Sequence, residues 1–444
     1  MTVPSAFRRV GAPGHPFDDE AGGQHPSHAR DRIVEELHKA IGTWKDSHGQ
    51  PHGQQRIDGK AREQEDEANQ LAQADIHGGR PRLLVAMDRS RKVAKCIAGA
   101  NEGGKTAMTD TAKDRLEPVR LWLWAVLGLL FVMIVVGGLT RLTDSGLSIT
   151  EWRPVTGAIP PLNETDWLSE FDRYRASSEY QMQNRGMSLA EFKEIYWWEW
   201  GHRFLGRLIG FVFAVPFVVF LVQKRIDRPL GLRLGVIFVL GGLQGALGWF
   251  MVQSGLSERV DVSQYRLAAH LGVAFVIFAA TLWVLLGLAH RKRAHSDMAP
   301  RTRRLAAIMV VAVFVQILLG ALVAGLDAGL TYNTWPLMDG QLVPNGLFQI
   351  QPVMLNFFEN ITMVQFQHRI LAYLIAALVV WLWLDARRSE AARTANVLAG
   401  LVAAQILLGV WTLLAVVPLW LGVAHQAMAV MVFAMAIVHA YRVR

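Results

Sequence analysis

Eight long apolar runs, separated by short charged loops, fill the sequence from about residue 121 to its end. About 20 apolar residues cross the hydrocarbon core of a bilayer as a helix, which rises about 1.5 Å per residue. Backbone polar groups must be satisfied inside the bilayer, so all eight runs are predicted to be helices. We place the spans at 121–140, 203–223, 234–254, 267–289, 305–326, 364–384, 396–417 and 419–440. The predicted fold class is therefore an all-α membrane protein with eight transmembrane helices.

The distribution of lysine and arginine orients these helices. Basic residues follow the second, fourth and sixth spans and end the chain, whereas residues 327–363, between the fifth and sixth spans, contain none. By the positive-inside rule, both termini then lie in the cytoplasm and the long segment 143–198 faces outward. The same loops account for the net charge of +8 at pH 7, so no nucleic-acid partner is expected.

Residues 1–114 are hydrophilic and differ from the rest of the chain. Their apolar residues are too sparse to bury a useful core, which predicts a disordered cytoplasmic leader. Met108 is an alternative native start. Cys96, the only cysteine, lies in this segment. A single cysteine excludes an intrachain disulfide, a cysteine-based metal cluster and C-x-x-C-H cofactor attachment.

The two halves of the apolar region repeat one another. GGLTRLTDSGLSITEW, which begins at Gly137, matches GALVAGLDAGLTYNTW, which begins at Gly320, at one constant offset. EWGHRFLGR matches QFQHRILAY, QGALGW matches QILLGVW, and AAHL matches VAHQ. Asp144 and Asp327 match within the first pair, and because each precedes a glycine by two residues we interpret them as turn-formers.

The repeat predicts the architecture. Each half contains four spans, an even number, so both halves run in the same sense across the membrane. We expect two tandem four-helix bundles, 115–290 and 291–444, related by a pseudo-twofold axis along the membrane normal.

Four histidines lie near the outer ends of the even-numbered spans, at equivalent positions of the repeat: His202, His270, His368 and His425. Ionisable side chains inside a bilayer are costly and by default mark function. Imidazole is a strong iron ligand, and the core of a helix bundle is a natural cofactor site. We predict that His202 with His270, and His368 with His425, each clamp a haem from both faces. Zinc is a weaker interpretation, since no carboxylates or thiolates recur with the pairs, and proton relay is a further alternative.

The neighbours of these histidines differ between the halves. Arg203 and Arg369 directly follow the first histidine of each half and are candidate partners for haem propionates, with snorkelling to the surface as the alternative. Glu199 lies three residues before His202, on the same helix face, whereas the matching residue in the second half is Gln365. Only the first site has a carboxylate. This difference predicts that the first site carries the reaction and that the second site transfers electrons. Glu199 as an interfacial anchor is the alternative.

At these motifs the sequence resembles the haem A synthase family over about residues 115–444. The signatures GGLTRLTDSGLSITEW and EWGHRFLGR, with the three later histidines, are similar to its proteobacterial and mitochondrial branch. The Gram-positive branch carries a cysteine pair in the first outer loop, and this chain has no cysteine there. Thiol-linked behaviour is therefore not expected.

The resemblance implies oxidation of the C8 methyl group of haem O to a formyl group, giving haem A for cytochrome oxidase, by successive hydroxylations with molecular oxygen. It implies that Glu199 is catalytic, that His202 and His270 border the substrate haem, and that a further pair, His368 and His425, ligates haem B. It also implies a bacterial inner-membrane location within lipid. The expected partners are haem O synthase, oxidase assembly factors and an unidentified electron donor, with a homo-oligomer as an option.

Two other functions remain open at this point. A bis-histidine b-type cytochrome that takes electrons from a quinol would share the histidine pairs without needing Glu199. A transporter would use the histidines for proton relay. The synthase itself poses a chemical difficulty, because two imidazoles fill both axial positions of the iron.

Overall fold

The computed structural model describes residues 115–257, 262–289 and 299–444. The predicted leader, Met108 and Cys96 lie outside these residues. Eight of the described helices are long and apolar enough to cross a membrane. They are α1 (Arg115–Leu142), α2 (Leu189–Val222), α3 (Arg228–Ser257), α4 (Gln264–Ala289), α5 (Pro300–Gly325), α6 (Ile361–Ala386), α7 (Ala392–Leu414) and α8 (Leu419–Val443). The prediction of an all-α multi-pass membrane protein is confirmed.

The second helix is much longer than its apolar run. It begins at Leu189, where Ser188 and Glu191 form a capping box: the Ser188 Oγ accepts from the Glu191 N–H, and the Glu191 carboxylate accepts from the Ser188 N–H. The apolar run marks only the part of α2 that crosses the hydrocarbon, so a span starting at 203 was too short for the helix. Glu199 and His202 therefore lie well inside a continuous helix of 34 residues.

An aromatic cluster holds the N-terminal half of α2. Two short helices of the segment between α1 and α2, Glu164–Arg175 and Ser178–Met182, precede α2. Their aromatic side chains pack on those of α2, and the Tyr174 and Phe192 ring centroids lie 5.2 Å apart. The buried members of the cluster are Trp167, Phe171, Tyr174, Tyr180, Phe192 and Tyr196. Burial of this many aromatic rings fixes the N-terminal end of α2.

Helices of the two predicted halves pack on one another. α4 packs on α5, and α8 packs on both. Between α8 and α1, the Gln426 Nε2 donates to the Ile134 carbonyl at 2.7 Å. A Cβ at Gly138 would lie 1.7 Å from the Gln426 Oε1, so only glycine admits this contact. The pseudo-twofold arrangement and the domain boundaries stay predictions. A repeat of this kind predicts the same contacts at equivalent positions of the two halves.

Candidate functional site

Each of the four histidines lies against a glycine of the preceding odd-numbered helix. A Cβ built on any of these glycines would approach the facing imidazole closely, at 2.8 Å for Gly409 and His425 and at 3.2 Å for Gly137 and His202. The complete set of pairs is Gly137–His202, Gly248–His270, Gly320–His368 and Gly409–His425. The glycines match across the repeat as the histidines do. Each helix crossing therefore leaves room for an imidazole by omitting a side chain on the facing helix.

The histidines interact electrostatically in the predicted pairs, His202 with His270 and His368 with His425. All four residues are half-buried, although each is on a long apolar helix. The His270 Nδ1 is buried and has no hydrogen-bond partner among the described residues. A buried imidazole nitrogen that makes no hydrogen bond fits a histidine whose ring serves as a metal ligand.

Glutamines that the sequence reasoning missed hold three of the histidines. The Gln316 Nε2 donates to the His368 carbonyl at 2.9 Å, and the Gln405 Nε2 donates to the His425 carbonyl at 3.1 Å. In the first half, Gln244 donates to the His270 carbonyl at 3.0 Å. The sequence repeat could have identified Gln244 and Gln405, because they are the first residues of the matched motifs QGALGW and QILLGVW.

Glu199 is buried, 2% exposed, and both of its carboxylate oxygens are engaged. The Oε2 accepts from the Ser148 Oγ at 2.7 Å and from the Ile149 N–H at 2.6 Å. The Oε1 accepts from the Arg203 Nη2 at 2.5 Å. The loop motif GLSITEW therefore supplies two of the three donors, and these hydrogen bonds fix the Glu199 side chain next to the helix turn that carries His202.

Gln365 takes the same place in the second half with a neutral side chain. It is 3% exposed, and its Nε2 donates to the Ala328 carbonyl at 2.8 Å. Its Oε1 accepts from the Arg369 Nη2 at 3.1 Å. The two halves thus place a buried side chain at the same position next to the matched arginine. That side chain is an acid in the first half and an amide in the second.

The two predicted propionate partners also tie the outer loops to the helices. Arg203 donates to the carbonyls of Ile149 and Glu151, at 2.8 and 3.1 Å. Arg369 donates to the matching carbonyls of Tyr332 and Thr334, at 2.7 and 2.8 Å. The Arg369 Nε is buried without a partner among the described residues, so this side chain keeps a donor for a ligand. Binding of a propionate by either arginine stays a prediction.

The repeat aspartates are turn residues, as predicted. Asp144 and Asp327 adopt left-handed backbone conformations, with φ of 48° and 49°. Sequence reasoning missed that Arg141 joins them: its Nη2 binds both Asp327 carboxylate oxygens at 2.9 Å, and its Nη1 binds Asp144 at 2.5 Å. The ion pair connects the loop after α1 with the loop after α5.

The donor set fits two haem groups. Each pair of histidines could ligate the iron of one haem, and the helices around the pair would supply an apolar surface for the macrocycle. Each pair has glycines facing its rings and an arginine next to its first histidine, and a guanidinium in that position could bind a propionate.

The sequence profile of one protein family, described as cytochrome oxidase assembly protein, matches residues 120–437. The chain belongs to this family. A relative from Parvibaculum lavamentivorans, named "Heme A synthase", is 56% identical over 321 residues, which are 72% of this chain and 93% of the relative. Relatives of the same name from a Chelativorans species and from Nitrosospira multiformis are 55% and 50% identical. Their matches cover 75% and 72% of this chain, and 92% of each relative.

The family assignment made from the motifs is thereby confirmed. Family membership extends over all eight membrane helices, since the matched residues run from α1 to α8. Residues 1–114 lie outside the match.

Proposed function

We propose that this protein is a haem A synthase, an oxidoreductase that converts the C8 methyl group of haem O into the formyl group of haem A for cytochrome oxidase. The relatives of that name align over nearly their full length at 50–56% identity. The observation that carries the proposal is the asymmetry of two matched histidine sites, since one holds the buried acid Glu199 and the other holds Gln365. A cytochrome with two equivalent electron-transfer sites would not need this difference.

We assign the sites by that asymmetry. His202 and His270 hold the substrate, haem O, and its product, haem A. His368 and His425 hold haem B, which supplies one-electron transfer when bound. The second site suits a resident group because a glutamine holds the carbonyl of each of its histidines.

Glu199 is the catalytic residue of the first site in this proposal. Converting a methyl group to a formyl group would take two hydroxylations, each using one molecule of oxygen with two electrons from the donor and two protons and releasing one water, after which the resulting diol loses water. Positive charge develops at the substrate carbon in such steps, and protons must be moved. A buried carboxylate fixed by three donors stabilises such charge without reorganising. The short hydrogen bond between the Glu199 Oε2 and the Ser148 Oγ gives a proton a first step towards the outer loop.

Production of haem A tests the function. A bacterial host that makes haem O and lacks its own haem A synthase would express the chain, and the haems of its membranes would be separated by chromatography. We expect haem A with the wild-type chain and none with the empty vector. Haem O persisting without haem A, in membranes that contain the protein, would contradict the proposal.

We place the protein in the bacterial inner membrane, with both termini in the cytoplasm. The support is the distribution of basic residues, since 327–363 lacks Lys and Arg while the loops on the other side are rich in them. A C-terminal alkaline phosphatase fusion should be inactive, and a fusion in the loop at Asn345 should be active. Reversed activities would invert the topology and place the histidines near the cytoplasmic face.

The proposed partners follow from the substrate and the family. Haem O synthase supplies the substrate, assembly factors of cytochrome oxidase receive the product, and a separate electron donor serves haem B. The family description supports a role in oxidase assembly. Crosslinking in membranes, followed by identification of the crosslinked chains, tests these partners and a homo-oligomer together.

A further inference from the structure

The contact between a glutamine and a histidine carbonyl recurs at three of the four candidate ligands. In each case the glutamine lies on the odd-numbered helix that precedes the histidine helix. The three contacts are Gln244 to His270, Gln316 to His368, and Gln405 to His425. A hydrogen bond between two membrane helices ties the histidine backbone to its neighbour and restricts movement of that helix turn.

In the second half the glutamines also cover the imidazoles. The Gln316 Nε2 lies 3.1 and 3.2 Å from the two ring nitrogens of His368, and the Gln405 Nε2 lies 3.3 Å from both ring nitrogens of His425. An atom this close to both nitrogens cannot lie in the ring plane, where it would overlap Cε1. It therefore lies over the ring face and leaves both in-plane nitrogen positions open. The amide holds the ring without occupying a ligand position.

His202 has no such glutamine. The position that matches Gln316 in the repeat is Met133, whose thioether cannot donate a hydrogen bond. Met133 packs one turn beyond His202, where its Cε lies 3.4 Å from a Cβ built on Gly206. Within the residues that the structure describes, no side-chain donor contacts the His202 ring or carbonyl. Methionine is flexible and offers no donor, so it forms no hydrogen bond that would hold the turn of α2 that carries His202.

The two sites have different requirements if one haem is substrate and the other is resident. Haem O must enter the first site and haem A must leave it in every cycle, whereas haem B stays. An axial histidine at the first site must therefore release the iron, and two fixed imidazoles would prevent both exchange and access to an axial position. At the second site, a resident haem B does not require either histidine to leave the iron.

We propose that His202 is the exchangeable axial histidine of the substrate site, and that Met133 is the positioning residue that leaves it exchangeable. His270 is the retained ligand, because Gln244 ties its carbonyl to α3. The inference rests on the proposed function, since it assumes a haem between each histidine pair. In this inference, the difference between Gln316 and Met133 determines whether the neighbouring histidine is retained or released by the iron.

Carbon monoxide tests the proposal, because it binds a ferrous haem only where an axial position can open. The full-length protein, purified with haem B and loaded with haem O, would be reduced with dithionite and titrated with carbon monoxide. We expect carbon monoxide to bind the substrate haem and not haem B in the wild-type protein. Met133→Gln should weaken that binding at least tenfold with unchanged haem content, whereas the matched apolar variant Met133→Leu should bind as the wild type does.

The reciprocal variant places the same difference in the other half. Gln316→Met should make haem B reactive towards carbon monoxide, and it decides the matter even where Met133→Gln does not fold. Unchanged carbon monoxide binding in both Met133→Gln and Gln316→Met, with both haems present, would overturn the inference and leave the proposed function intact. A wild-type protein that takes up no haem would overturn the proposed function and the inference with it.

Discussion

The backbone N–H of Ile149 donates a 2.6 Å hydrogen bond to the carboxylate of Glu199. A residue of the outer loop thereby fixes the one buried acid of the first site, and the loop and the site form a single unit. The second half repeats the unit with Gln365, which contacts the Ala328 carbonyl instead. The acid is therefore one feature that distinguishes the two sites, while the loop contact at this position occurs in both halves.

Replacing this acid with its amide should separate binding from reaction. Glu199→Gln keeps the side-chain volume, and the same amide is tolerated at the matching position, so the protein should retain its haems. Loss of the negative charge should reduce haem A formation at least a hundredfold, a range typical for loss of a charged catalytic group. Haem extraction from membranes measures both quantities. Glu194→Gln, the same change at an exposed acid of α2, is the control and should retain most activity. Normal haem A with Glu199→Gln would remove this residue from the mechanism.

A methyl group on the glycine that faces His425 should displace the haem B ligand. A Cβ at Gly409 would lie 2.8 Å from the imidazole Cε1, so the ring of His425 must move. We expect Gly409→Ala to deplete haem B while the chain still folds. Gly400→Ala, on the same helix with nothing within 4 Å of its Cβ, is the matched control. The pyridine haemochrome spectrum measures haem B in both variants. Equal haem B content would show that the His425 ring is not held against Gly409.

Replacing a second-half histidine should affect one haem only. His368→Met and His425→Met should deplete haem B, because each removes one of its two proposed ligands, and should leave the substrate haem in place. His202→Met is the counterpart in the other half and should affect the substrate haem. Chromatography of extracted haems distinguishes the two outcomes. Haem B content that is unchanged in both second-half variants would break the assignment of the halves.

The contact between α1 and α8 should contribute measurably to stability. Gly138→Ala must displace the Gln426 amide, whose oxygen would lie 1.7 Å from the new Cβ, and thereby break its hydrogen bond to Ile134. Hydrogen bonds between membrane helices contribute roughly 0.6–2 kcal/mol. We expect Gly138→Ala and Gln426→Leu each to lower the free energy of unfolding by about that amount.

The two changes remove the same interaction, so their effects should not add in the double variant. Unfolding in detergent measures all three proteins. Gly128→Ala, on the same helix with open space at its Cβ, should be neutral or slightly stabilising. Fully additive losses would indicate that Gly138 and Gln426 act separately.

The sequence predicted the membrane helices because the length of an apolar run is a property of the chain itself. The histidine pairs came from matched repeat positions in the sequence, and their role as haem ligands stays a prediction. The beginning of α2 was missed because hydropathy reports the hydrocarbon crossing, while Ser188 and Glu191 set the helix start by a capping box. That signal was present in the sequence and is independent of hydropathy.

The contacts of the histidines could not be predicted in the same way. Which residue of α5 faces His368 depends on how two helices cross, and no periodicity within one helix determines that. Gln316 and Gly320 lie one turn apart and both contact His368, yet they read as ordinary residues of an apolar run. Arg141 likewise pairs with Asp327, a residue far along the chain, only because the two loops meet in the fold.

The haem content of the purified protein tests the central claim most directly. The full chain, isolated from a host that makes haem O, would be examined by its reduced-minus-oxidised spectrum, and its haems would be extracted and separated. The account predicts haem B together with haem O or haem A, with one haem lost when either histidine pair is replaced. A colourless protein, or a haem content unaffected by replacing all four histidines, would contradict it.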